Sequence, residues 1–362
     1  QEQGQLGEIG GQAYLLGLVN QTPSSLHGAA YAQFVEQAAI RRRMLTAANE
    51  MARLAYDQEK DIRTILDEVE KSVFSLGASR VRHDLKPVNE VVSEYYDYVD
   101  EQSKRDEELS GVPTGLYDLD KLLGGMQKSD LLIVAGRPGT GKTGFLLSVA
   151  KTAAQKYKKN VAMFSLEMSN QQLVQRLIAQ ETGIDTLRLR TGKLQDHEWD
   201  VFTKAIDVLS ATNIWLDDTP AITPLAMRTK CRRLDNEHKL DLVLVDYLQL
   251  MSSDSRNENR VQEVSYISRS LKALARELQV PVLAAAQLSR AVESREEKKP
   301  VLSDLRESGS LEQDSDIVIF IHKSKESDKT TNLIVAKHRN GPTSPGIGVV
   351  FLEKLAKFVN AA

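Results

Sequence analysis

The 362-residue chain has one cysteine, Cys231. No internal disulfide framework can hold it together, and such cysteine usage suits a reducing compartment such as the cytosol. It also lacks any apolar run approaching the roughly 18 residues of a membrane span, and no signal-peptide pattern opens it. The six histidines show no metal-ligand spacing, so a zinc site would need other ligands. There is no strong charge of either sign. The net charge is −3, and any nucleic-acid surface must be a local feature. The first residue is Gln1 and not Met, which points to a fragment or to a chain whose start lies elsewhere. What is present is ordinary for a globular protein: 41% hydrophobic and 27% charged residues, in a length that suits two or three domains.

The most informative stretch is LLIVAGRPGTGKTGF, residues 131–145. Leu131 to Val134 read as a buried strand, and Phe145, Leu146, Leu147 and Val149 follow a helical pattern. Between them lies G-x-x-x-x-G-K-T, from Gly136 to Thr143, in the strand–loop–helix context the motif requires. Glycines let such a loop curl so that backbone N–H groups point at phosphate oxygens, and the helix adds its positive end. Lys142 is placed to reach the β- and γ-phosphates and Thr143 to offer a hydroxyl to Mg²⁺. These residues predict binding of a nucleoside triphosphate.

Ahead of this stretch, residues 1–23 are rich in Gly and Gln, with an apolar patch from Ala13 to Val19. Residues 25–76 read as helices. Phe34, Val35, Ala38, Ala39, Leu45 and Met51 recur at helical spacing, and Ile62, Ile65, Leu66, Val69, Val73 and Phe74 mark a second helix. Arg41, Arg42 and Arg43 read best as a solvated face, since Glu36, Glu50 and Glu59 flank them. A polar linker leads to a lone amphipathic helix at 88–104, with Val88, Val91, Val92, Tyr95 and Val99 in one stripe. It has no core of its own and needs a surface to dock on, either in its own domain or on a neighbouring subunit.

From Gly111 strand and helix patterns alternate. Strands are predicted at 131–135, 161–166, 214–217, 241–246 and 280–286, and helices at 143–156, 169–181, 224–237 and 258–278. This predicts an α/β fold with a mostly parallel central sheet, extended by close-spaced strands at 316–321, 332–337 and 347–352, partly antiparallel. Three strand ends carry candidate chemistry. Asp246 is where Mg²⁺ needs a second anchor. Glu167 could polarise an attacking water or simply be an acid near a helix start, and Gln287 could sense a γ-phosphate or be a surface polar residue. Lys337 and Arg339 share one face of a strand end. They are open to two readings, a solvated edge or a pair of cations that neutralises transition-state charge. Residues 288–315 read as a long loop, in which Arg306, Ser308, Gly309 and Ser310 are open to two readings, a solvated loop or a set of phosphate contacts. Without an aromatic there, base stacking is not indicated.

Taken in order, GVPTGLYDLDKLLGG, GRPGTGKT, FSLEMS, DYLQLM, QLSR, DLRESGSLEQDSD and AKHRNGP resemble the replicative DNA helicases of the DnaB family. The resemblance implies a RecA-like P-loop domain over 109–362, a small all-α N-terminal domain over 1–82, incomplete at its start, and a linker over 83–108. The linker helix would dock on the adjacent subunit of a homo-hexameric ring. The implied activity is ATP- and Mg²⁺-dependent movement along single-stranded DNA, 5′ to 3′, unwinding forked duplex at the replication fork in the cytoplasm. Primase and a helicase loader are the implied protein partners, with no membrane. By the same resemblance Gly139, Thr140, Gly141, Lys142, Thr143, Gly144 and Arg176 hold the nucleotide. Thr143 and Asp246 hold the metal, Glu167 is the catalytic carboxylate and Gln287 the sensor. Lys337, Arg339 and Gly341 form finger elements inserted into the neighbour's site, and Arg306, Glu307 and Gly309 grip DNA. The alternative is a RecA-like recombinase or clock-type ATPase that does not unwind.

Overall fold

The computed structural model describes residues 28–57, 60–62, 64–65, 68–69, 72, 87–103, 109–253, 260–289, 292–293, 295, 299–323 and 330–361. The apolar patch at 13–19, the linker at 77–86 and most of the second predicted helix lie outside them. The chain falls into two compact units, residues 1–99 and 100–362.

In the first unit, helix α1 spans Gly28–Tyr56. The stripe expected to be its buried face is not buried: Phe34, Val35 and Leu45 are about two-thirds exposed, while Ala47 and Leu54, one heptad apart, are covered. Periodicity found the helix but not its inner face. Few apolar residues are enclosed among the described residues of this unit, so burial does not single out one stripe. Arg41, Arg42 and Arg43 are exposed, as a solvated face requires. Helix α2, Val88–Ser103, leaves Val88, Val91, Val92, Tyr95 and Val99 exposed.

The second unit opens with helix α3, Tyr117–Leu123. Its entry is tied by Asp120, whose carboxylate accepts N–H bonds from Thr114 and Gly115 at 2.7 and 2.9 Å. Strand β1, Leu131–Gly136, is buried along its whole length, as a central strand covered on both faces must be. Helix α4, Lys142–Lys151, continues through a wider π-helical turn at Thr152–Lys156. There follow β2 (Val161–Ser165), α5 (Asn170–Thr182), α6 (Thr186–Thr191), α7 (Asp196–Ser210), β3 (Ile214–Asp217), α8 (Pro224–His238) and β4 (Leu242–Asp246). The chain continues with α9 (Arg260–Leu278), β5 (Val282–Gln287), a 3₁₀ segment at Leu302–Ser308, α10 (Gly309–Asp314), β6 (Ile317–His322), β7 (Thr330–His338), β8 (Ser344–Leu352) and β9 (Lys357–Asn360).

Local chemistry explains the helix ends. The Ser169 hydroxyl accepts the Gln172 N–H at the start of α5, and Gly183, at φ 74°, ends it. Thr223 caps α8 ahead of Pro224, where proline's missing N–H costs nothing.

The strands form one sheet in the order β3-β2-β4-β5-β1-β6-β7-β8-β9. From β3 to β6 neighbours run parallel; β7, β8 and β9 are added antiparallel. Alternate residues of β1 serve two cores. Leu132 and Val134 pack with Phe145, Leu146 and Val149 of α4. Leu131, Ile133 and Ala135 pack with Ile267, Leu271 and Leu274 of α9. The α/β class and the parallel sheet with an antiparallel extension agree with expectation. The sequence reading missed α6, α7 and β9, and the 288–315 stretch is not a plain loop, since it contains a 3₁₀ segment and α10. Helix α7 encloses little beyond Glu198 and Ala205.

Candidate functional site

The carboxyl ends of β1, β2, β4 and β5 lie side by side, Gly136 opposite Gln287 and Ser165 opposite Asp246. Strand–loop–helix geometry sets the phosphate loop there. Gly139 and Gly141 have φ of 80° and 93°, where a side chain is strained. A Cβ at Gly139 would meet nothing within 4 Å. At Gly144 a Cβ would lie 2.7 Å from the Ala356 carbonyl, so this glycine lets the turn between β8 and β9 close against α4. Thr140 braces the loop through its hydroxyl to the Arg137 carbonyl, 2.8 Å. Lys142 folds back over it, Nζ donating to the Gly136 and Arg137 carbonyls at 3.0 and 3.2 Å. Burial lowers the Lys142 pKa, against the opposing pull of Asp246 and Glu167.

Asp246 is 1% exposed. Its carboxylate lies beside the Thr143 hydroxyl, and one of its oxygens, Oδ2, is buried without a hydrogen-bond partner. Burial raises its pKa most, and the nearby Glu167 charge adds to that; Thr143, Lys142 and Arg176 oppose it. A buried carboxylate oxygen without a partner is costly unless a cation or water meets it. The hydroxyl and carboxylate are hard oxygen donors of the kind Mg²⁺ takes alongside phosphates and water. Among the described residues no group of three or more His, Cys, Asp and Glu could hold a metal ion.

Glu167 stands exposed just beyond β2. Its turn is pinned by Ser165, whose hydroxyl donates to the Met168 carbonyl at 2.8 Å, and by the Leu166 N–H on the Asp246 carbonyl, 2.7 Å. Arg176, on α5, interacts with both Asp246 and Glu167; burial lowers its pKa against their attraction. It lines a cleft of about 320 Å³ with Met168, Gln172, Gln175, Thr186 and Arg190. Gln287, at the tip of β5, is held by Gln249. The two residues exchange bonds, Gln287 N–H to Gln249 Oε1 at 3.1 Å and Gln249 Nε2 to the Gln287 carbonyl at 3.2 Å.

A family model described as the DnaB-like helicase C terminal domain matches residues 111–360. The chain is 44% identical to the replicative DNA helicase DnaB of Geobacillus stearothermophilus, covering 98% of this chain and 80% of that protein. It is 42% identical to the replicative DNA helicase DnaC of Bacillus subtilis over the same shares. The chain belongs to the DnaB-like helicase family. Among solved structures, that of a DnaB-like replicative helicase described with its primase interactions superposes with a TM-score of 0.79, at 30% identity, over 99% of this chain and 85% of that one. A second solved structure, an isolated ATPase domain, superposes with a TM-score of 0.72, at 34% identity, over 77% of this chain and 100% of that one.

In this helicase chain Gly139 to Gly144, Glu167, Arg176, Asp246 and Gln287 gather at one end of the sheet. Lys337, Arg339 and Gly341 do not join them. Strand β7 runs antiparallel to β6, with His338 opposite Ile317, so these residues sit at the other end, where β1 and β6 begin. The Lys337 ammonium donates to the carbonyls of Glu312 and Ser315, both at 2.5 Å, at the end of α10; burial lowers its pKa. It is neither a solvated edge residue nor a free one. Arg339 is the exposed member, its side chain 63% exposed and paired with Asp316. A Cβ at Gly341 would strike the His338 ring, which would have to turn aside. Arg306, Glu307 and Gly309 fall on the 3₁₀ segment and the start of α10. Just before them the buried Asp304 accepts two bonds from Arg295, at 2.8 and 2.5 Å, and the Val301 N–H at 2.8 Å. The sequence reading did not single out Ser165, Gln249 or Asp316. All three stand in blocks that carried the resemblance, FSLEMS, DYLQLM and DLRESGSLEQDSD, but a bracing residue has no spacing signature.

Proposed function

We propose that this chain, an ATP-hydrolysing replicative DNA helicase by family, works as a homo-hexameric ring in which each nucleotide site is completed by the next subunit. The supporting observation is distance. β1 spans six residues, roughly 17 Å at strand rise, and it separates Arg339 from the phosphate loop of its own subunit. A cation that serves nucleotide chemistry from there serves a neighbour's site.

Within that reading, Gly139, Thr140, Gly141, Lys142, Thr143, Gly144 and Arg176 bind ATP, and Thr143 and Asp246 hold Mg²⁺. The metal, when bound, screens phosphate charge. Lys142 and the loop N–H groups orient the triphosphate, Glu167 takes a proton from the attacking water, and Gln287 relays the nucleotide state along β5. Arg339, with Gly341 shaping its turn, neutralises charge across the subunit boundary, and Lys337, its ammonium held by the Glu312 and Ser315 carbonyls, supports the finger from within its own subunit. Arg306, Glu307 and Gly309 grip the backbone of single-stranded DNA in the channel as the ring moves 5′ to 3′ into a fork. The chain divides its work in three: a helical domain at 1–82, a linker at 83–108 and the motor at 109–362. The exposed stripe on α2 supports docking of the linker helix on the adjacent subunit. Primase and a loader are its partners and the cytoplasm its compartment. Among the described residues no helix is long and apolar enough to cross a membrane.

A forked-duplex assay tests the reading. Strand separation is expected with ATP and Mg²⁺, with DNA affinity falling steeply with added salt because the contacts are to phosphates. Hydrolysis without strand separation would return the chain to the recombinase or clock-type alternative.

A further inference from the structure

Asp316, the last residue of DLRESGSLEQDSD, is 2% exposed and lies at the end of the sheet away from the phosphate loop. It binds three elements at once. Its N–H donates to the Leu131 carbonyl at 2.9 Å, and the Leu131 N–H returns to Asp316 Oδ2 at 2.8 Å. Lys272, from α9, donates its ammonium to the same Oδ2 and to the Ser129 carbonyl at 2.7 Å. The Arg339 N–H donates to the Asp316 carbonyl at 2.9 Å, and Arg339 Nη1 reaches Oδ1 at 3.3 Å.

We infer that Asp316 is the positioning residue for Arg339, holding it in readiness for the neighbour's nucleotide while anchoring it to the strand that leads to its own phosphate loop. The inference rests on the reading of Arg339 as a finger acting in trans. A guanidinium has five donors in a fixed fork. One is engaged by Asp316, and with the side chain largely exposed the rest can meet developing phosphate charge. A long side chain on an exposed turn would otherwise sample many rotamers, and charge stabilisation in a transition state depends on donors placed in advance. The carboxylate is itself fixed by two groups that do not move with the turn, the Leu131 N–H and Lys272. Its orientation is therefore set by β1. One buried anion thus joins two sites: the strand feeding the subunit's own nucleotide loop and the cation lent to the next.

The test is Asp316→Asn in the assembled ring, with native mass to verify hexamers and circular dichroism to verify folding. Asparagine keeps an acceptor for Leu131 and removes the charge facing Arg339 and Lys272. The kcat for ATP should fall between tenfold and a hundredfold, roughly the cost of a misplaced catalytic group, with the KM for ATP unchanged because the subunit's own loop is intact. In rings mixed with Lys142→Ala subunits, which hydrolyse nothing but carry intact fingers, Asp316→Asn sites should regain activity. The double variant with Arg339→Ala should be no slower than Arg339→Ala alone. An unchanged kcat, a loss that mixed rings fail to rescue, or a double variant slower than Arg339→Ala would each overturn the inference. Arg339→Ala mixed the same way separates the two readings. If it is rescued and Asp316→Asn is not, positioning fails and the finger stands; if Arg339→Ala is itself not rescued, the finger reading fails and the inference with it. Should Asp316→Asn not assemble, Asp316→Glu keeps the charge and shifts it by one methylene. A milder kcat loss that mixed rings rescue is then expected, and a loss without rescue would again overturn the inference.

Discussion

The two ends of the central sheet are built from the same strands and by opposite rules. At the carboxyl end charge is left incompletely satisfied: Asp246 has a buried oxygen without a partner, Gly139 faces open space, and Glu167 stands exposed. At the amino end the charges are tied down. Asp316 is bound from three elements and Lys337 by carbonyls at the end of α10, while Arg339 extends outward. The unfinished end suits a ligand that arrives, and the finished end suits a rigid mount. The comparison teaches that a parallel sheet can hold a receiving site and a donating site apart by its own length.

Substitutions at the two ends should break differently. The largest effect is expected from Lys142→Ala, which should abolish ATP turnover and weaken nucleotide binding while far-ultraviolet circular dichroism stays unchanged. Retained turnover would refute the phosphate-loop assignment. Arg339→Ala, at the other end, should slow turnover by about a thousandfold, as loss of an arginine finger does, with nucleotide binding preserved. Mixing with Glu167→Ala subunits should restore part of it. A failure to restore would mean that the cation acts within its own subunit and that the two ends are not divided in this way.

Smaller effects concern stability. Gly144→Ala places a methyl 2.7 Å from the Ala356 carbonyl, and overpacking of this kind costs about 1–3 kcal/mol, read as a lower denaturation midpoint. An unchanged midpoint would show that the turn between β8 and β9 yields freely. Asp130, beside the amino-end cluster, has its carboxyl pushed up to about 6 by burial and then by Asp316. A raised carboxyl binds more protons folded than unfolded, so its contribution to stability declines as pH rises from about 4 to 6. Asp130→Asn should therefore gain on the wild type across that window and keep, above it, an advantage of about 1–3 kcal/mol. Equal pH profiles would mean that Lys272 and Arg339 already offset the charge.

Much of this was legible in the order of residues. The run LLIVAG, followed by glycines and Lys142-Thr143, needs little beyond neighbours along the chain to be read, because a buried strand, a tight turn and a helix start are local structures. Asp246, Glu167 and Gln287 were legible as strand ends for the same reason. Helix α6 was not, since six residues are too few for a helical period to repeat; α7 carries a helical period that the sequence reading missed. The inner face of α1 was misjudged because apolar spacing says where a face could be and not whether anything covers it. Arg306, Glu307 and Gly309 entered through a resemblance, and the helical character of their segment emerged only in three dimensions.

The amino-acid sequence by itself determined the P-loop, the alternation that makes a parallel sheet, and membership of the family, because each is written in residues close together or in blocks of fixed order. Only the tertiary structure decided which charges meet. Asp316 lies 185 residues from Leu131 and 23 from Arg339, and their junction exists because β1 and β6 start at the same edge of one sheet. A contact of that kind depends on strand order and register, which no local pattern specifies.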